Sequence, residues 1–283
     1  MLRIAVQSKG RLYEETMDLF KEVGIKLYNS KRTLLVPSSN FPLEILFLRD
    51  DDIPESVANG VADAGIVGEN EYVEKGAMAN LFKRLGFSRC RLSLAIPKEE
   101  QYEGPSFFEG KTIATSYPNI LSKFLKGKGV NAGIHSIGGS VEIAPSIGLS
   151  DGIFDIVSSG STLVSNHLKE VEIVMQSEAL LIVNPNLTEE KKSILEELNF
   201  RVNAVKEAEG KKYLLMNVPN ESIENVIKEL PGMKSPTVMP LAKEGWSSVH
   251  TVINEERFWE IINRLKKAGA EGILVVPIEK MIL

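Results

Sequence analysis

Apolar positions along this chain form short runs and helical stripes that alternate, and the alternation sets the expected elements. Residues 2–6 read as a strand. After the turn "QSKGR", Leu12, Thr16, Leu19, Phe20 and Val23 recur at helical spacing, and Gly24 stops the stripe. Short apolar runs at 33–36 and 43–48 predict two more strands. "RDDDIPESVANG" reads as a helix start, with an acidic first turn, Pro54, Val57 and Val61. "AGIVGEN" is the next strand-to-loop unit. This rhythm predicts an α/β lobe with a largely parallel sheet.

The rhythm restarts after "RLSLAIPKE". "GKTIATSYPNI" predicts a strand and a helix entered through Tyr117-Pro118, and "IHSIGGSVEIAPSIGLSD" a strand, a Gly-Gly turn and a short helix. A strand at 153–157, a helix at 163–168, strands at 171–175 and 179–183, and a long helix at 188–205 follow. The expected organisation is one lobe from residues 1–88 and 178–205, with a second lobe, 89–177, inserted. Two such lobes leave a cleft facing the carboxyl ends of strands, where α/β proteins bind small ligands.

Residues 206–283 carry a different pattern. "KYLLMNVP", "TVMPL", "WSSVHTVIN" and "EGILVVPI" read as strands. "ESIENVIKEL" and "EERFWEIINRLKKAGA" are helices with one apolar stripe each. The order βαββαβ is the ferredoxin-like arrangement, expected as a separate small domain.

Composition narrows the function. The 283 residues suffice for two or three domains. A formal net charge of -5 supplies no global positive field, which argues against a general nucleic-acid partner. One cysteine, Cys90, excludes an internal disulfide and a cysteine metal cluster, and suits a reducing cytoplasm. No apolar run reaches the roughly 18 residues of a membrane span, and none at the start suits a signal peptide.

One stretch points to chemistry. "DGIFDIVSSGSTL", residues 151–163, is an apolar strand that carries Asp155 and opens into Ser158, Ser159, Gly160, Ser161 and Thr162. Small residues at a strand-to-helix junction leave convergent backbone N–H groups, an anion nest to which the hydroxyls add donors. A plain turn with Ser159 or Ser161 capping the helix is the competing reading. A carboxylate in an apolar strand is costly to bury without partners. Asp155 lies roughly 10 Å before Ser158 along an extended chain. A sugar whose phosphate sits in the nest would present its hydroxyls to that carboxylate. Asp151 is a further acidic candidate.

Residues 142–163, "EIAPSIGLSDGIFDIVSSGSTL", closely resemble the signature of the ATP phosphoribosyltransferase family. The resemblance continues in chain order through "LRIAVQSKGRL", "LRDDDIPESVANGVADAGIVGEN", "CRLSLAIP", "KTIATSYPNIL", "PGMKSPTVMPLA" and "ILVVPIEKM". The tail makes the chain similar to the long form, which carries its own regulatory domain.

The resemblance implies an α/β catalytic part with two lobes like type II periplasmic binding proteins, followed by an ACT-like domain that binds histidine as feedback inhibitor. It implies transfer of phosphoribosyl from phosphoribosyl pyrophosphate (PRPP) to N1 of ATP, the first step of histidine biosynthesis. It further implies Mg²⁺ and assembly into dimers and hexamers. On this match residues 158–162 hold the 5-phosphate, and Asp155 with Asp151 faces the ribose hydroxyls. Glu142 reaches ribose or adenine. Lys9, Arg11 and Arg49 end strands on the cleft side and are assigned to polyphosphate, and Glu69 and Tyr117 to the ATP side. Asp50, Asp51 and Asp52 are either Mg²⁺ ligands or helix caps. In the tail, Asn217, Met233, Ser235 and Thr237 are the histidine candidates. His135, His167 and His250 are scattered and no general base stands out. Two other readings, a solute-binding protein on the same scaffold and a regulatory subunit with a decayed site, sit poorly with the intact loop and with Lys9, Arg11 and Arg49.

Overall fold

The computed structural model describes residues 1–28, 33–76, 79–230 and 235–283. The chain forms two compact units, Met1–Leu195 and Glu196–Leu283.

The first unit begins with β1 (Leu2–Gln7), α1 (Arg11–Glu22), β2 (Leu35–Pro37), β3 (Leu43–Leu48), α2 (Ile53–Ala58), β4 (Ala64–Gly68), α3 (Glu69–Lys75) and β5 (Asn80–Arg84). It continues with β6 (Cys90–Pro97), β7 (Thr112–Thr115), α4 (Pro118–Lys128), β8 (Gly133–Ser136), β9 (Gly152–Val157), α5 (Ser161–Ser165), β10 (Leu168–Ser177), β11 (Ala179–Val183) and the start of α6 (Glu189–Ala208). Two sheets result, with strand orders β2-β3-β1-β4-β11-β5 and β10-β6-β9-β7-β8. The chain crosses between them after β5 and again after β10. Each crossing delivers its next strand into the interior of the sheet it enters: β6 between β10 and β9, β11 between β4 and β5. This exchange is the two-lobed, type II periplasmic-binding-protein-like arrangement.

The sheets are mixed rather than largely parallel. β1 runs parallel to β3 and β4, and β7 to β8 and β9, but β11 and β6 are antiparallel to both neighbours. β6 and β11 arrive by crossing from the other sheet, so neither is joined directly to a neighbour by a helical crossover of the kind that links β7 to its parallel partner β8 through α4. In β4, Gly65 lets α2 press onto the sheet, because a Cβ there would lie 2.6 Å from Ile53 Cγ2 and 2.9 Å from Val57 Cγ2.

Several boundaries differ from expectation. The helix expected at 163–168 is the single turn α5, and β10 takes up the chain from Leu168 after His167, whose φ of 55° turns it. The short helix expected after the Gly-Gly turn is two 3-10 turns, Val141–Ile143 and Pro145–Ile147, the second starting at a proline that lacks the N–H to continue the first. β5 was not expected; Leu81 and Phe82 are exposed, so its sequence has no buried alternation to read.

The second unit holds the rest of α6, then β12 (Lys211–Pro219), α7 (Ile223–Glu229), β13 (Thr237–Pro240), β14 (Trp246–Asn254), α8 (Glu255–Lys267) and β15 (Glu271–Pro277). The order β13-β14-β12-β15, all antiparallel, is that of a ferredoxin-like fold. Leu214, Met216, Val218, Val249 and Ile253 pack from the sheet against Val226, Ile261 and Leu265 of the helices. Among the described residues, no helix is long and apolar enough to cross a membrane.

Candidate functional site

β9 buries Ile153, Phe154 and Val157, while Asp155 turns to the opening at its carboxyl end. A cavity of about 160 Å³ is lined there by Glu142, Asp155, Ser158, Ser159, Gly160 and Thr162, with Ile153, Val157 and Leu163 as its apolar wall. Burial pushes the Asp155 carboxyl up to about 6; the Ile156 N–H, donated to Oδ1 at 2.8 Å, opposes this, and the nearby Glu142 charge adds to it. Neither Ser159 nor Ser161 is the N-cap of α5, although Ser159 Oγ accepts the Ser161 N–H at 3.4 Å. Gly160 occupies that position at a φ of 82°, which favours glycine, and the two serine hydroxyls bond to each other at 3.0 Å. Ser158, Ser159, Gly160 and Thr162 thus surround a small space with a carboxylate at its side.

Arg11 reaches this loop from the other sheet. It opens α1 after Gly10, whose φ of 90° makes the turn. Its Nη1 donates to Ser158 Oγ and its Nη2 to the Arg89 carbonyl, both at 2.8 Å. Lys9, two residues before Arg11, is exposed.

A second cleft, of about 550 Å³, is lined by Arg49, Asp50, Asp51, Glu71, Lys75 and Tyr117, among others. Tyr117 is 6% exposed, so its ring is wall rather than a free stacking surface. Its hydroxyl accepts from Asn70 Nδ2 at 3.1 Å. Burial drives the Tyr117 hydroxyl upward, and the charges of Glu71 and Asp155 push in the same direction, so the two cavities are within electrostatic reach. Burial also raises Glu71 to about 7. Glu74 accepts the backbone N–H groups of Asn119 and Ile120, each at 2.9 Å, and so caps α4 from α3.

Two candidates stand elsewhere. Asp151 precedes β9, at the end opposite the loop, and its Oδ2 accepts the Thr112 N–H at 2.8 Å. Its carboxylate fixes β7 and lines a different cavity, so it does not pair with Asp155. Glu69 binds the Arg84 guanidinium with both oxygens and lines a separate depression with Arg84 and Glu178. The acidic run forms a 3-10 turn, Asp50–Asp52, leading into α2. None of the three makes a capping bond to α2, and Asp51 lies 4.0 Å from Lys75 Nζ. Among the described residues no three carboxylate, histidine or cysteine side chains converge as a metal site.

In the tail, Asn217 pairs with Ser248 across β12 and β14, and Thr237 with His250 across β13 and β14. Asn217, Thr237 and Ser235 are exposed. Met233 lies outside the described residues. His250 was set aside by sequence reasoning, yet it bonds the Tyr213 hydroxyl at 2.9 Å and Ser248 Oγ at 2.8 Å. Asn70, Glu71 and Glu74 were missed as well, because "ENEYVEK" reads as the solvated face of a helix.

A family model described as ATP phosphoribosyltransferase matches residues 49–204, and one described as HisG, C-terminal domain, matches residues 208–280. The chain is 71% identical over 283 residues to an ATP phosphoribosyltransferase of Phocaeicola vulgatus, and 70% identical over 283 residues to that of Bacteroides thetaiotaomicron, each match covering all of both chains. It is also similar to a chain from the ATP phosphoribosyl transferase (HisG:HisZ) complex of Thermotoga maritima, with a TM-score of 0.61 and 30% identity, over 71% of this chain and 98% of that one. With both family models matched in order and close relatives matched end to end, the chain belongs to the ATP phosphoribosyltransferase family, in the long form that carries a C-terminal domain.

Proposed function

We propose that the chain joins PRPP to ATP at the cleft of its first unit, as the first step of histidine biosynthesis. The observation that carries this reading is the convergence of Asp155, Glu142, Ser158, Ser159, Gly160 and Thr162 on one cavity, with Arg11 bonded to its loop. The 5-phosphate of PRPP occupies the loop, where amides and hydroxyls replace its water. Asp155 accepts hydrogen bonds from the ribose hydroxyls, and Glu142 stands beside it.

Adenine N1 attacks C1 of the ribose with its lone pair, the bond from C1 to the pyrophosphate oxygen breaks, and pyrophosphate departs with that electron pair. Positive charge develops on the sugar during displacement, and Asp155 and Glu142 stabilise it, as carboxylates do in glycoside hydrolysis. N1 loses no ring proton before attack, so no general base is required. Positioning and fixed charges supply the catalysis. Arg11, Lys9 and Arg49 neutralise the polyphosphates of the two substrates, and Tyr117 walls the ATP side.

The donor set suits Mg²⁺ carried in on phosphate oxygens, since that ion commonly takes only one or two carboxylates from the protein. Asp50 and Asp51, on the cleft that contains Arg49, are the carboxylates placed to hold it. When bound it supplies charge neutralisation to the departing pyrophosphate.

The tail reads as a histidine-binding regulatory domain acting through Asn217, Ser235 and Thr237. The long-form likeness supports assembly into dimers and hexamers in the cytoplasm. Pyrophosphate release with ATP, PRPP and Mg²⁺, each omitted in turn, tests the central reaction: release is expected only when both substrates are present. Release without ATP would contradict it.

A further inference from the structure

Ser158 is held at two atoms. Arg11 takes its hydroxyl, and Arg91 Nη1 donates to its carbonyl at 3.0 Å. The second contact has a built support. β6 and β9 pair antiparallel with Arg91 opposite Val157 and Ser93 opposite Asp155. Arg91 and Ser93 therefore share the sheet face that carries Asp155, while Leu92, Leu94 and Ile96 enter the hydrophobic cluster on the other.

Glu170 reaches the same face through a bulge in β10. It pairs with Ala95, whereas Glu172 pairs with Leu94, so Val171 is the extra residue. Without the bulge the two glutamates would point the same way; with it, Glu172 turns to the opposite face and accepts the Tyr102 hydroxyl at 2.6 Å. Glu170 then grips Arg91 at both ends, Nε at 2.6 Å and Nη2 at 2.7 Å, and accepts Ser93 Oγ at 2.6 Å. Arg91 holds the Glu170 carboxyl below its ordinary range, so the pair is ionised at neutral pH.

We propose that Glu170 and Arg91 are positioning residues for the phosphate loop, the carboxylate fixing the guanidinium and the guanidinium fixing the Ser158 carbonyl. A carbonyl held from outside cannot swing inward and set its lone pairs against an anion. The residues that follow and line the cavity, Ser159, Gly160 and Thr162, then keep their places around the anion. The inference rests on reading residues 158–162 as the site of the PRPP phosphate. A cross-strand ion pair with no such task would affect sheet stability alone.

Steady-state pyrophosphate release by full-length Glu170→Gln, Arg91→Lys and Thr162→Val, with melting temperatures, separates the cases. For Glu170→Gln, KM for PRPP is expected to rise about tenfold while KM for ATP stays within about twofold. Arg91→Lys should do at least as much, because lysine cannot grip a carboxylate bidentately and still reach the carbonyl. The double variant should be no worse than Arg91→Lys alone. If Thr162→Val raises KM for PRPP while Glu170→Gln leaves it unchanged, or moves both KM values equally, the positioning role is overturned and the loop assignment stands. If Thr162→Val also leaves KM for PRPP unchanged, the loop assignment itself falls. Should Arg91→Lys fail to fold, Glu170→Gln decides.

Discussion

The Arg11 guanidinium donates to the Ser158 hydroxyl at 2.8 Å, joining the first turn of α1 in one sheet to the loop after β9 in the other. The same guanidinium bonds the Arg89 carbonyl beside the crossing into β6. One side chain thus ties the loop to the point where the chain passes between lobes. Ser158→Ala and Arg11→Ala are each expected to lower kcat/KM for PRPP by about tenfold, the scale of a hydrogen bond to a charged group. The double variant should lose less than the product of the two. A double-mutant cycle of initial rates measures this, and strict additivity would show that the contact has no part in catalysis.

Asp155 sets a pH limit. Its folded-state pKa is raised to about 6, chiefly by burial and further by Glu142. If the carboxylate form faces the ribose, kcat/KM for PRPP falls as pH drops through that value. Glu142→Gln removes a like charge, so the acid limb should move to lower pH. A pH series of kcat/KM on both proteins checks the direction; an unchanged limb would mean that the Glu142 charge does not act on Asp155, and an upward shift would contradict its sign.

Glu71 makes stability depend on pH. Its pKa rises from 4.5 to about 7, mainly through burial. Between those values the folded chain binds more protons at this site than the unfolded chain. Its contribution to stability is therefore fully present below pH 4.5 and is lost as pH rises to 7. Glu71→Gln keeps the shape and removes the titration. Its melting temperature relative to the parent should thus increase from pH 5 to pH 8, and a constant difference would contradict the buried-acid reading.

Much of this was legible from the sequence, for identifiable reasons. The loop at 158–162 was legible as a cluster of four hydroxyls and a glycine after an apolar strand, but a plain turn has the same composition, and only Asp155 and the wider resemblance separate the two. Asp155 stood out against Ile153, Phe154 and Val157. Asp151 looked like its twin, but six residues of β9 separate Asp151 from the loop, and spacing alone does not say which end of a strand faces the cleft. Glu69 carried the right charge at the right strand end, and only the fold reveals Arg84 beside it. Glu74 was invisible because its partners are backbone N–H groups of Asn119 and Ile120, which leave no mark in composition. The task of Arg91 depends on a bulge at Val171, a register shift that no periodicity in "LKEVEIVMQS" reveals.

The sharpest test of the loop as the PRPP phosphate site is the pair of Michaelis constants for Thr162→Val, whose side chain keeps its volume and loses its hydroxyl. KM for PRPP should rise about tenfold or more, with KM for ATP within about twofold, because a lost donor to a charged group weakens only the ligand it touches. Equal changes in the two constants, or none in either, would contradict the assignment.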